Sequence, residues 1–384
     1  MIPLSMPYFE GNELKYVSDA VQRVWVSTAG DYVKQLEKML AEYLCTGSVA
    51  VCQSGTSAIH MSLIEAGVSG GDIVLVPALT FIAAVNPVKY LNAEPIFMDC
   101  DDSLCIDPKK LRRFCEEECE FIDGVLSYRG TPVKAIIVVH VFGNMADMEA
   151  IMEIANRFSL KVIEDATEAL GTRYTSGIYN GRFAGTIGDF GCYSFNGNKI
   201  ITTGGGGAVT SKITKSVDHM RFLSTQAKTD PLFYQHDEVG FNYRMTNVQA
   251  AIGVAQMEKL SEYIRRKQKN YQLYVQEFEG FENASLMTFR SGTSSNQWLY
   301  SLNIRIEHMK ITTKELVGRL RESGIETRMI WGLINEQKPY AESVEYNLDK
   351  APFYASRILN IPSSTNITEA EISFVSGKIK GLLR

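Results

Sequence analysis

Apolar residues in this chain follow two alternating patterns. Short unbroken runs, Val49-Ala50-Val51-Cys52, Ile73 to Val76, Pro95 to Met98, Ala135 to Val139 and Leu160 to Ile163, read as strands. The stretches between them space their apolar positions three and four apart. Thr56 to Ala66, Phe81 to Leu91, a segment opened by Asp107-Pro108, and Asp147 to Phe158 therefore read as helices. Strands apolar on both faces need cover on both sides, so this alternation predicts an α/β domain with a mainly parallel sheet. Ligands in such sheets bind beyond the carboxyl ends of the strands, where Ser54, Thr80 and Asp165 fall.

Residues 12 to 25 and 31 to 45 precede this region as two amphipathic helices joined by the turn Trp25 to Gly30. Beyond it, Phe190 to Phe195 and Ala208 to Thr210 read as strands and Ile213 to Leu223 as a helix. Residues 225 to 246 are polar and aromatic with little periodicity, as in a long functional loop. Thr246-Asn247 caps a helix that runs to about Phe278 and turns charged in its second half, which suggests a bridge between domains. A strand (Trp298 to Ile306) and helices at Thr312 to Glu322 and Thr368 to Leu383 make a smaller α+β domain. The expected division is 1–255 for the large domain and 256–384 for the bridging helix and small domain; 384 residues exceed what one core usually organises.

Composition narrows the function. With 45% apolar and 22% charged residues the chain has ample core material, and a net charge of -5 argues against a general nucleic-acid binder. The longest uncharged apolar run, Ile73 to Val88, is interrupted by prolines and too short to span a membrane. The N-terminus lacks the basic-then-apolar order of a secretory signal, so a cytoplasmic location is expected. Seven scattered cysteines fit reduced thiols rather than a disulfide framework. Cys115 and Cys119 flank three glutamates, but no Cys or His pair at zinc spacing accompanies them, so no metal site is expected.

Four features carry candidate chemistry, each with a plainer reading beside it. Ser54-Gly55-Thr56-Ser57 at a strand-to-helix turn offers free N–H groups and hydroxyls to a phosphate, or simply caps a helix. Asp165, just past an apolar strand, needs a cation such as a protonated pyridine nitrogen, or a salt bridge. Phe81 could lie flat on a cofactor ring, or belong to the core. Lys199 sits in a polar turn before four glycines, Gly204 to Gly207, where backbone must approach something closely, or is an ordinary lysine in a glycine-rich loop. Together they are the parts that hold pyridoxal 5'-phosphate, with lysine on its aldehyde carbon and aspartate on its ring nitrogen.

The order of motifs resembles the DegT/DnrJ/StrS sugar aminotransferases, which have fold type I, aspartate-aminotransferase-like architecture. The resemblance rests on Gln53-Ser-Gly-Thr-Ser-Ala58, Pro77-Ala-Leu-Thr-Phe-Ile-Ala83, Val139-His-Val-Phe-Gly143, Ile163-Glu-Asp-Ala-Thr-Glu168, Tyr193-Ser-Phe-Asn-Gly-Asn-Lys199, Gly240-Phe-Asn-Tyr-Arg-Met-Thr-Asn247 and Glu326-Thr-Arg328. Within the family, Asn196 to Gly207, Pro95 to Asp102 and Ile330 to Pro339 look most like LegC-type enzymes. Those aminate a nucleotide-linked 4-keto-6-deoxy sugar on the way to legionaminic acid or related surface sugars.

The resemblance implies pyridoxal 5'-phosphate on Lys199, with Asp165 at its ring nitrogen and Gly55, Thr56, Ser57 and Ser194 at its phosphate. Phe81 would stack on the ring, and Asn242 would reach the phosphate from a second subunit, making a homodimer. Arg328 matches a family arginine and is assigned to the substrate together with Asn335. The implied amino donor is L-glutamate and the acceptor a UDP-linked sugar.

Two positions depart from the family. Glu168 stands where Gln often contacts the cofactor's 3'-oxygen, so it is expected to be protonated or turned to another donor. Asn335 stands where many relatives carry His. A sugar dehydratase is the nearest rival, but that branch replaces the lysine with histidine. A non-catalytic regulator would need a DNA-binding module, of which the sequence gives no sign.

Overall fold

The computed structural model describes residues 1–230 and 232–384. Two helices, α1 (Glu13–Gln22) and α2 (Asp31–Leu44), lead into β1 (Val49–Cys52) and α3 (Gly55–Glu65). Alternation continues through β2 (Ile73–Pro77), α4 (Asn86–Tyr90), β3 (Glu94–Met98) and α5 (Pro108–Arg113). A hairpin, β4 (Glu120–Ile122) and β5 (Val125–Tyr128), follows, then β6 (Thr131–Val139), α6 (Met148–Arg157) and β7 (Lys161–Asp165). Next come β8 (Arg173–Tyr174), β9 (Phe190–Ser194), β10 (Gly207–Ser211) and α7 (Thr214–Leu223).

The main sheet runs β1-β10-β9-β7-β6-β2-β3, with β10 antiparallel to both neighbours and the other pairings parallel. Strands β1, β2 and β10 are buried along their whole length, as the unbroken apolar runs require. Helix starts follow local chemistry. Asp107 accepts from the Lys109 and Lys110 N–H groups with Pro108 at the first helical position, and Asp147 caps α6.

One expectation fails. Phe81 to Leu91 is not a continuous helix: Phe81 is extended, Ile82–Ala84 make a single 3-10 turn, and α4 begins only at Asn86. Pro87 is the reason, because it has no N–H to give a preceding turn and suits only the first positions of a helix.

The segment 225 to 246 carries β11 (Lys228–Asp230) and β12 (Gln235–His236), both two- or three-residue pieces. Helix α8 (Asn247–Phe278) starts at a capping box between Thr246 and Gln249. It packs on α1 and α2 through its first half and on the smaller core from Tyr271 onward. That core sits against a four-stranded antiparallel sheet ordered β13 (Ala284–Leu286), β15 (Tyr300–Ile304), β18 (Ile358–Ile361), β16 (Arg328–Met329). It is covered by α9 (Thr313–Glu322) and α11 (Glu369–Leu382).

Three further pieces return to the larger body. β14 (Thr293–Ser294) pairs with β8, β17 (Glu345–Tyr346) adds to the β3 edge, and α10 (Lys350–Ala355) has its first N–H groups bound by the buried Asp99 carboxylate. The chain's first residues cross the other way. Ile2 bridges Ile325 and Leu4 O accepts from Ser363 N–H, so the N-terminus packs on the smaller sheet. Among the described residues no helix is long and apolar enough to cross a membrane.

Candidate active site

At the carboxyl ends of β1, β7 and β9 lies a cavity of about 440 Å³. It gathers Gly55, Thr56, Phe81, Asp165, Glu168, Ser194, Lys199 and Arg328, residues far apart in the sequence. Each arrives by a definite local route.

Ser54 caps α3, its Oγ accepting from the Ser57 N–H at 3.1 Å and contacting the Ser57 hydroxyl at 2.9 Å. The Gly55 and Thr56 N–H groups fall in the first turn, where donors have no intrahelical acceptor, at the positive end of the helix. A Cβ on Gly55 would stand 2.8 Å from Thr167 Cγ2 and 3.1 Å from Ser194 Cβ, so only glycine leaves this end open. Ser57 itself is buried and bonded to Ser54, away from the cavity lining. For that residue the helix-cap reading describes what is seen.

Asp165 ends β7 with its side chain buried, one oxygen accepting from Thr167 N–H at 3.0 Å. Burial raises its pKa, opposed by the Thr167 hydrogen bonds and by Lys199. Directly beneath, Glu164 and His140 form a fully buried pair at 2.9 Å. Glu164 also accepts from the N–H groups of Gly185, Ile187 and Gly188. Burial alone would raise the Glu164 pKa, but His140 and these N–H donors hold it below the usual carboxylate range.

Lys199 enters from the turn after β9. Its Nζ lies 3.4 Å from Glu168 Oε1 and 4.1 Å from the ring centroid of Trp298. Glu168 Oε2 accepts from the Phe142 N–H at 2.8 Å, and burial raises the carboxyl's pKa against the pull of Lys199 and that N–H. Nearby Asp165 raises it further. Phe81, 54% exposed, presents its ring at the mouth 6.5 Å from Trp331. A core role is thereby ruled out.

Besides Ser57, two candidates lie outside this cavity. Asn242 is exposed in the long segment, its backbone bridged to Thr225. Asn335 donates to Glu345 Oε2 at 2.6 Å and so ties its turn to β17. Sequence reasoning missed Trp298, Trp331, Asn196 and Asn198, all of which line the cavity. The apolar pattern places Trp298 at the start of a strand, yet the strand starts two residues later and the tryptophan sits in a turn held by Asn296.

The donor set suits pyridoxal 5'-phosphate: helix N–H groups and a serine at one end, a buried carboxylate on the floor, an exposed aromatic ring, and one lysine amine. With the mainly parallel sheet and second small sheet, fold and site define a pyridoxal-phosphate-dependent aminotransferase of fold type I. The chain belongs to the DegT/DnrJ/EryC1/StrS aminotransferase family, which matches it over residues 7–380. It is 34% identical to the GDP-perosamine synthase of Caulobacter vibrioides, across 100% of this chain and 98% of that one. The UDP-4-amino-4,6-dideoxy-N-acetyl-beta-L-altrosamine transaminase of Campylobacter jejuni is 27% identical, over 93% and 91%. A DegT DnrJ EryC1 StrS aminotransferase from Brucella abortus superposes with a TM-score of 0.86 at 26% identity, covering 96% and 95%. The protein is accordingly a pyridoxal-phosphate-dependent sugar nucleotide transaminase.

Proposed function

We propose that the enzyme moves an amino group from L-glutamate to the C4 keto carbon of a nucleotide-linked 4-keto-6-deoxy sugar. The observation that carries this is the convergence of Lys199, Asp165 and the open N-terminus of α3 on one cavity. When bound there, pyridoxal phosphate supplies the electron sink and carries the nitrogen between donor and acceptor.

The chain's own groups do the rest. Lys199 Nζ takes the proton from the donor's α-carbon and gives a proton back at the sugar's C4. Asp165 offers its carboxylate to the ring nitrogen, and Gly55, Thr56 and Ser194 hold the phosphate. Glu168, with Oε2 bound to Phe142 N–H and Oε1 beside Lys199 Nζ at 3.4 Å, carries a proton on Oε1 toward the 3'-oxygen once the lysine is engaged with the cofactor. Phe81 covers the ring, and Arg328 at the mouth meets the substrate's anionic portion.

The sugar nucleotide proposed first is a UDP-linked N-acetylated one leading to legionaminic acid or a related surface sugar. A GDP-linked sugar is the second reading, favoured by the 34% identity to a GDP-perosamine synthase. A homodimer is proposed, with Asn242 reaching the partner's phosphate site. Leu232, Phe233 and Val239, strongly exposed on the same segment, fit burial against a second copy. The cytoplasm is the proposed location, in keeping with seven free cysteines.

Incubation with L-glutamate and a panel of UDP- and GDP-4-keto-6-deoxy sugars, read by product mass and proton couplings, tests the acceptor. Amination at C4 of one panel member is the expected result; no product from any would overturn the sugar class. A visible absorbance that borohydride abolishes and Lys199→Ala lacks is expected, and its persistence in Lys199→Ala would overturn the lysine's role.

A further inference from the structure

Lys199 is gripped at both ends by one residue. The Trp298 indole N–H donates to the carbonyl of Asn198, the peptide that leads into Lys199, at 2.6 Å. The face of the same indole lies 4.1 Å from Lys199 Nζ. Trp298 is itself fixed: its backbone N–H donates to Asn296 Oδ1 at 3.0 Å, and its side chain is buried against Phe142 at a centroid distance of 6.2 Å. Asn296 in turn donates to the carbonyls of Glu168 and Leu170, both at 3.0 Å. A second, longer contact reaches the Asn198 carbonyl from Ser5 Oγ at 3.3 Å.

We propose that Trp298 is a positioning residue for the catalytic lysine, setting its backbone through the indole N–H and its amine through the ring face. This rests on the reading of Lys199 as the lysine that bonds the cofactor. A lysine has four rotatable bonds beyond Cα, and rigid placement of its nitrogen is what converts proximity into rate. The ring also attracts the amine whenever it carries a proton, which keeps the nitrogen in the cavity while it is not bonded to carbon. Glu168 Oε1 lies 3.4 Å from the same nitrogen, so the amine contacts both an aromatic face and a carboxyl.

The test separates the lysine's placement from the cofactor cradle. Pyridoxamine 5'-phosphate cannot condense with a lysine, so its affinity for cofactor-free protein reports the cradle alone. Pyridoxal 5'-phosphate followed by borohydride leaves a stable secondary amine on Lys199, and the rate at which that peptide gains mass reports the amine's placement. Trp298→Leu removes both grips and should slow labelling at Lys199 by about tenfold or more, while pyridoxamine phosphate affinity stays within about twofold. Trp298→Phe keeps the aromatic face and should lose only a few-fold. Labelling at the wild-type rate in Trp298→Leu, with pyridoxamine phosphate still bound, would overturn the proposal. If Trp298→Leu no longer binds pyridoxamine phosphate, Trp298→Phe decides: wild-type labelling overturns the proposal and a few-fold loss upholds it. Absence of label at Lys199 in the wild type would overturn the reading of the lysine itself.

Discussion

Glu168 Oε1 and Lys199 Nζ stand 3.4 Å apart in a site where the two side chains are only 5% and 11% exposed. The carboxyl has Asp165 as an acidic neighbour, and burial raises both acids above their ordinary values. Replacing Glu168 with Gln keeps a hydrogen-bonding group of the same shape that cannot ionise. Glu168→Gln should therefore bind cofactor with near-normal absorbance; complete loss of the cofactor would show that the role assigned to Glu168 is wrong.

The same two acids set a pH dependence for the cofactor-free protein. An acid whose folded pKa is raised holds its proton in the fold after the unfolded chain has released it. Stability from this source is present below the ordinary values of 3.8 and 4.5 and declines as pH rises toward the folded values. Asp165→Asn should flatten that decline when urea unfolding is followed from pH 4 to pH 7. It should also cut turnover on the order of a hundredfold while pyridoxamine phosphate still binds.

Lys267 gives the opposite slope. It is buried on α8 with its Nζ donating to Ser363 O at 2.5 Å, and burial lowers its pKa to about 7 from 10.5. Between those values the unfolded chain binds a proton that the folded one does not, so stability rises with pH across that window. Wild type should gain roughly 2 kcal/mol on Lys267→Met between pH 7 and pH 9, read from paired urea titrations. Equal slopes for the two proteins would show that the buried amine is charged.

Gly207 is the tightest backbone contact in the glycine run. A Cβ there would lie 2.5 Å from Ser54 C and 2.6 Å from Ser54 O. Gly207→Val should cost about 1–3 kcal/mol, since backbone rather than a flexible side chain must move. It should also weaken pyridoxamine phosphate binding; unchanged melting temperature and affinity would contradict the contact.

Much of this was legible because the large domain is built from local signals. Apolar runs gave β1, β2, β3, β6 and β7, and Asp107-Pro108 and Thr246 marked helix starts that the structure keeps. What escaped depends on distant partners. Nothing in Ile2 to Met6 shows a period, yet Ile2, Leu4 and Met6 bond to positions more than 320 further on. Strands β13 and β18 show no unbroken apolar run, because Ser285 and Asn360 interrupt them. Trp298 and Trp331 meet Lys199 and Phe81 only after the smaller sheet has packed.

The antiparallel strand β10 has a mechanical consequence. Gly207 pairs with Cys52 on one side and Ser194 on the other, and Gly206 bridges Ser54. The N-terminus of α3 and the turn bearing Lys199 are therefore the two jaws of a caliper whose bar is three hydrogen-bonded strands. The gap between those jaws is fixed by ladder register. A ligand that attaches at both jaws is thus gauged for length before any side chain inspects its chemistry.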